Sequence, residues 1–228
     1  MLNFRQYTDM TECYIGNNVT LSTNNVSNIF NNMRNLINVQ FNHPNIVDMT
    51  RTYYNCRNLT GSPVCGNNVI DMTWAYHDCY NLTGSPVCGD NVTNMRGTYY
   101  DCNNLTGSPV CGNNVIDMSE AYYYCYNITG SPVCGNNVTN MSYTYYNCNK
   151  LNACTVNWYA ANINNVKNCF YGKNNSRRYN IHVPTGSTTF NTMIINNKYS
   201  LVGANIIWTN NGSCWYNKVY NIYIYPDL

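Results

Sequence analysis

Cysteine, histidine and tyrosine are the residues through which this chain could do chemistry, and their spacing decides which chemistry. There are 13 cysteines. Cys56, Cys65, Cys79 and Cys88 are separated by alternating gaps of nine and fourteen residues, and no two cysteines form a CxxC knuckle. Zinc sites draw two ligands from one tight knuckle, so no metal site is expected. Stacked, reduced thiols acting as small hydrophobes fit the spacing better. Disulfides between the Cys ladders remain open, since they depend on compartment and on Cα separation. The histidines are His43, His77 and His182. None sits with a nucleophile in a recognisable arrangement. An enzyme would need a site in the C-terminal segment, around His182, Trp208 and Trp215, and that reading ranks last. No catalytic residues and no cofactor are expected.

The charge balance narrows the partners. Lys and Arg number 12, Asp and Glu 10, for a formal net charge of +2. There is no basic stripe to neutralise a phosphate backbone, so nucleic acid is not expected as a partner. No basic segment precedes an apolar run at the N-terminus and no stretch approaches a membrane span, so membrane insertion is not expected. Polarity comes mainly from Asn. Twenty-three tyrosines supply burial that an Asn-rich disordered chain would lack.

These residues must be positioned by a repeat. Segments 59–80, 82–103, 105–126 and 128–149 are copies shifted by 23 residues, and 59–72 and 105–118 are both LTGSPVCGNNVIDM. A fixed period of this size marks a stacked array. The expected buried columns are Leu59/Leu82/Leu105/Ile128, Val64/Val87/Val110/Val133, Val69/Val92/Val115/Val138, Met72/Met95/Met118/Met141 and Tyr53/Tyr76/Tyr99/Tyr122/Tyr145. The columns extend back apolar for apolar through Phe30, Met33, Leu36, Phe41, Ile46 and Met49. One proline and two glycines per copy force corners and exclude a long helix. Each copy reads as one coil, with extended pieces around LTG and NNVxxM and a turn or short helical segment carrying the aromatics. A finer alternation, Ile70-Asp71, Thr93-Asn94, Ile116-Asp117 and Thr139-Asn140, marks a doubled unit.

Three regions follow: an N-terminal cap over 1–25, the array over 26–173, and a C-terminal capping module over 174–228. In the last, 178–183 and 219–225 alternate as strands, 204–209 is a further strand candidate, and Ser187 precedes Phe190, Met193 and Ile194 at helical spacing.

The phrases NNVTNMSYTYYNCNKL (136–151) and CYNLTGSPV (79–87) resemble the BspA-type leucine-rich repeats. In these, a valine and a further apolar residue lead to an aromatic pair, a cysteine, and the leucine-threonine that opens the next strand. The resemblance covers about 26–171 and shares the 23-residue period. It implies a mainly β fold: a leucine-rich-repeat-like solenoid, here with a small α+β module closing its C-terminal end. It also implies a surface protein that binds host or matrix components. The absence of a visible signal peptide or anchor makes a phage virion component the favoured member type, since virion proteins need none.

Where the copies disagree, function is expected. One column runs Arg51, Trp74, Gly97, Glu120, Tyr143; a second runs Arg57, Tyr80, Asn103, Tyr126, Asn149. Arg51, Trp74, Glu120, Tyr143, Arg57, Tyr80 and Tyr126 form the expected exposed binding ridge, rich in the residue types that dominate interfaces. The expected role is non-enzymatic. The chain attaches to neighbouring subunits of a larger assembly or to a host surface protein or glycan, on a virion or extracellular surface, with self-association possible. The alternative is a cytoplasmic protein-interaction module.

Overall fold

The structure, a computed structural model, describes residues 4–16, 19–41, 44–151, 154–158, 162–172, 179–183, 187, 189, 209–210, 214–217 and 222–226. Over these the chain is mainly non-helical with short strands: β1 (Glu12–Tyr14), β2 (Asn38–Gln40), β3 (Val133–Cys134), β4 (Cys154–Trp158), β5 (Tyr179–Val183), β6 (Thr209–Asn210), β7 (Trp215–Asn217) and β8 (Ile222–Pro226).

The 23-residue period is realised as hydrogen bonding between successive units. Isolated parallel bridges link Asn25, Asp48, Asp71, Asn94, Asp117, Asn140 and Asn165. The step is 23 residues as far as Asn140 and 25 for the last, where two residues are inserted. The aromatic segment is a run of turns rather than a helix. Thr52 N–H donates to Met49 O at 3.0 Å and Cys56 N–H to Tyr53 O at 3.1 Å. Between these local bonds, Arg51, Tyr53 and Asn55 donate to Thr73, Ala75 and His77 carbonyls of the next unit at 2.9, 2.8 and 2.7 Å. Local and inter-unit bonds alternate, so each of these buried N–H groups finds a carbonyl. At the LTG segments one backbone bond joins neighbours, such as Thr83 N–H to Gly61 O at 2.9 Å, and the Thr83 hydroxyl donates to the same carbonyl at 3.4 Å. Units approach closely there. Gly84, Gly107 and Gly130 have φ near +80°, and a Cβ on any of them would collide with Ser62, Ser85 or Ser108 of the preceding unit.

The Leu, second Val, Met and Tyr columns are buried, as are Phe30, Met33, Leu36, Phe41, Ile46 and Met49. The first Val column is not. Val64, Val110 and Val133 are about two-fifths exposed and Val87 is half-buried. The reason lies in the backbone. The buried Tyr76 hydroxyl donates to Val64 O at 2.7 Å and accepts from Val64 N–H at 3.0 Å, and Tyr99 grips Val87 in the same way. The main chain faces the core, the side chain turns outward, and the preceding Pro63, Pro86, Pro109 and Pro132 are buried instead.

The Tyr column is a continuous stack from Phe4 through Phe30, Tyr53, Tyr76, Tyr99, Tyr122 and Tyr145 to Phe170, with centroids 5.0–5.7 Å apart and rings within 18° of parallel. Beside it, each thiol of the buried Cys column donates to an aromatic-column carbonyl 26 residues earlier: Cys79 to Tyr53 O at 3.1 Å, Cys102 to Tyr76 O at 3.0 Å, Cys125 to Tyr99 O at 2.9 Å. Cys56, Cys79, Cys102 and Cys125 form no disulfide. Thr52, Thr98 and Thr144 do similar work, Thr98 Oγ1 lying 2.9 Å from both Met72 O and Met95 O.

At the N-terminal end Phe4 stacks on Phe30 and β1 pairs parallel with β2. At the other end one sheet, ordered β3-β4-β5-β8-β7-β6, joins the array to the C-terminal segment; it is parallel from β3 to β8 and antiparallel beyond. The expected strands at 178–183 and 219–225 correspond to β5 and β8. The helix expected after Ser187, most of 204–209, and His43 and Trp208 lie outside the described residues.

Candidate binding face

Adjacent aromatics in the turn segment point to opposite sides. Tyr53 and its copies enter the core, while the following residues build a second stack on the outside. Tyr54, His77, Tyr100, Tyr123, Tyr146 and Tyr171 lie 4.4–4.6 Å apart, ring over ring. His77 is the repeat-position variant its register indicates. Its Nδ1 lies 3.3 Å from Asp78 Oδ2, within ion-pair distance but without hydrogen-bond geometry. The rings cover one another's faces, so the stack offers mainly edges; His77 within it is buried, Tyr54, Tyr100, Tyr123 and Tyr146 are half-buried, and Tyr171 at its end is exposed. Burial raises the phenol pKa values of Tyr123 and Tyr146, and Tyr100 is pushed up to about 12, mainly by burial and then by Asp101 and Glu120.

The two variable columns flank this stack. Arg51 and Arg57 are exposed, Trp74, Tyr80, Glu120 and Tyr143 half-buried, and Tyr126 is more than a third exposed. The structure assembles them in local groups. Arg51 lies over Trp74 at 5.3 Å and over Tyr54 at 5.8 Å, and Trp74 stacks on His77 at 4.9 Å. Tyr143 packs beside Tyr146 at 5.9 Å and under Lys167 at 5.7 Å. Arg57 covers Tyr80 at 5.4 Å, and Tyr126 meets Tyr124 at 5.6 Å. Glu120 joins through its field on Tyr100.

Backbone geometry separates these columns from their neighbours. Arg51, Trp74, Glu120 and Tyr143 have φ of 53°, 58°, 60° and 58°, and Gly97 shares it at 58°. Each is the third residue of a turn, where a left-handed conformation favours Gly or Asn. A second left-handed column four residues on obeys that preference: Asn32, Asn55, Asp78, Asp101 and Asn147, with Tyr124 the exception. In the first column Asn28, Gly97 and Asn168 also obey it, whereas Arg51, Trp74, Glu120 and Tyr143 do not, although bulky side chains cost about 1–2 kcal/mol in that conformation.

The sequence places His77 in one column with Tyr54, Tyr100, Tyr123 and Tyr146; that this column is an outer ring stack, and the part of Asp78, Asp101, Tyr124 and Tyr171 in it, were missed. The aromatic pairs Tyr53-Tyr54, Tyr99-Tyr100 and Tyr145-Tyr146 were its signal. Asp101 is half-buried and its carboxyl is held above the usual range by burial and then by Asp78. In the C-terminal sheet His182 is half-buried on β5 and stacks on Tyr225 at 4.9 Å, with burial lowering its pKa. Trp215 lies on β7. A separate open groove of about 670 Å³ runs along the array, lined by Asn68, Ile70, Asn91, Thr93, Asn114 and Ile116 among others. No described helix is long and apolar enough to cross a membrane.

A family model described as a Mycoplasma protein of unknown function, DUF285, matches residues 70–183, half of the chain. The chain belongs to this family. The DUF285 match spans the inner and outer stacks from Tyr76 and His77 to Tyr171 and ends with β5. No curated protein and no solved structure matches the chain.

Proposed function

We propose that the stacked units form a leucine-rich-repeat-like solenoid of the BspA type over 26–173, capped by 1–25 and by an α+β module over 174–228. In this reading it serves as a non-enzymatic binding component of a phage virion or a cell surface. The binding face is the outer aromatic stack with its flanking columns, and the partner is a neighbouring subunit or a host surface protein. The observation that carries this reading is the left-handed column. Gly, Asn and Asp are the inexpensive residues at such positions, and drift would collect them there. Asn28, Gly97 and Asn168 follow that expectation, whereas Arg51, Trp74, Glu120 and Tyr143 hold the other four positions, which points to side chains retained for what they contact. A protein partner is favoured over a glycan, because sugars stack on open ring faces and this ladder offers mainly edges.

The test is attachment of particles or cells carrying the chain. Replacing Trp74, Tyr80 and Tyr143 together with Ala is expected to reduce attachment at least tenfold while the near-ultraviolet dichroism of the inner stack persists. Unchanged attachment, or collapse of the fold, would sink the binding-face reading. Recovery of the native chain only from cytoplasm would favour an intracellular interaction module.

A further inference from the structure

The open groove of about 670 Å³ shares no lining residue with the aromatic face, and two rows of side chains climb it one unit at a time. The first row is asparagine in all five units, from Asn45 to Asn137. Three of its amides are held alike. Asn68 Nδ2 donates to Pro44 O at 2.7 Å, Asn91 Nδ2 to Asn67 O at 2.8 Å and Asn114 Nδ2 to Asp90 O at 2.9 Å. Each amide is thus fixed through its N–H to the corner of the preceding unit, on a residue that is exposed. Its Oδ1 has capacity for two hydrogen bonds. The second row alternates Ile70, Thr93 and Ile116. Ile70 and Ile116 are 45% and 49% exposed, and Thr93 is half-buried. Their N–H groups donate to Val47, Ile70 and Thr93 carbonyls at 2.8, 2.9 and 2.7 Å. These bonds set the step along the row at about 4.8 Å, the spacing of paired strands. No charged side chain lines the groove among the described residues.

Such rows suit a long neutral ligand with a hydroxyl donor at every step and an apolar face at every second step. An extended peptide does not keep step, since its side chains return to one face about every 6.7 Å. A β-1,4-linked glycan does. It advances by roughly one strand spacing per pyranose ring, and each ring is turned over relative to the last. The same face therefore recurs at every second ring, as Ile recurs at every second unit. We propose that the groove binds a neutral β-1,4-linked glycan lengthwise, one ring per unit. Ring hydroxyls donate to Oδ1 of Asn68, Asn91 and Asn114, and C–H faces rest on Ile70 and Ile116. With no aromatic platform in the groove, affinity comes from many weak contacts and rises with chain length. The five units of the Asn row match a chain of five rings.

The full chain is titrated by calorimetry with cellopentaose, cellobiose, the α-1,4-linked maltopentaose, whose chain curls, and an uncharged Gly-Ser peptide of matching length. Cellopentaose is expected to bind saturably and at least tenfold more tightly than cellobiose or maltopentaose, with no binding by the peptide. Asn91→Ala removes one acceptor and is expected to weaken cellopentaose about fivefold. The double variant Ile70→Thr, Ile116→Thr gives both units the residue that Thr93 and Thr139 already carry in that column, so the fold is kept. It is expected to weaken cellopentaose about tenfold through lost apolar contact. No saturable binding of cellopentaose, equal binding of maltopentaose, or unchanged affinity in the double variant would each overturn the assignment. Tighter binding of the peptide would overturn it in favour of a protein segment. The aromatic face is tested separately by the attachment assay, so either reading can fail while the other stands.

Discussion

Each thiol of the buried Cys column is a hydrogen-bond donor as well as a filler. Cys102 is buried and bonds Tyr76 O, so Cys102→Ala removes volume and leaves a buried carbonyl unpaired. The expected cost is about 2 kcal/mol in urea unfolding. The same thiols set the alkaline limit. Burial pushes Cys56 up from 9.0 to about 12 and, in the half-buried second ladder of cysteines, Cys88 to about 11. A group whose proton is held more tightly in the folded state contributes full stability below its unfolded pKa and loses it as pH rises towards the folded value. Stability should therefore fall from about pH 9 upward, with the tyrosines adding to the loss above about pH 10, and unfolding should coincide with thiolate and phenolate absorbance. Backbone conformation gives a residue-scale contrast. Glu120→Gly relieves a left-handed side chain and is expected to be neutral or stabilising by up to about 1 kcal/mol. Ala121→Gly next to it, fully buried, is expected to destabilise by about 1 kcal/mol.

The bridge column shows why the repeat is doubled. Asp71, Asn94, Asp117 and Asn140 alternate a carboxylate with an amide. The amide can serve a carboxylate in the adjacent unit, as Asn25 Nδ2 does for Asp48 Oδ2 at 2.7 Å. Each oxygen also caps its own turn, Asp71 Oδ1 accepting from Thr73 N–H at 2.7 Å. Asn94→Asp would complete a run of four carboxylates with Asp48, Asp71 and Asp117 and is expected to cost about 0.5–1 kcal/mol, less at high salt. Thr98 lies between Ala75 and Ala121 with the same alternation. Much of this element was legible in the sequence, because period 23 sorts residues into columns and Leu, Met and Tyr columns have one destination. The Val64 column was misread, since LTGSPV carries no alternation and nothing in it shows that the Tyr76 hydroxyl would seize the Val64 backbone. The outer stack was half visible. Tyr53-Tyr54 signals two aromatic rows, but which row faces out depends on left-handed turns that residues such as Arg51 and Trp74 conceal.

In the proposed solenoid each unit bonds chiefly to its neighbours, so stability is a sum of unit and interface contributions. Removing residues 59–104, two units, would bring Asp48 beside Asp117 in place of Asp71 and leave one like-charged step, as now. Removing residues 82–104, one unit, would put Asp71 beside Asp117 and create a second such step. The two-unit deletion is therefore expected to lose less stability per unit removed, measured by urea unfolding of both chains. The outer stack has a further consequence, in optics. Six rings held parallel at 4.4–4.6 Å are chromophores close enough for their electronic transitions to couple, and a helical offset between them would make that coupling circularly dichroic. Separation of any one unit divides the array into two shorter ones and changes its spectrum. The protein thus carries an intrinsic reporter of whether its units are in register, readable without a label.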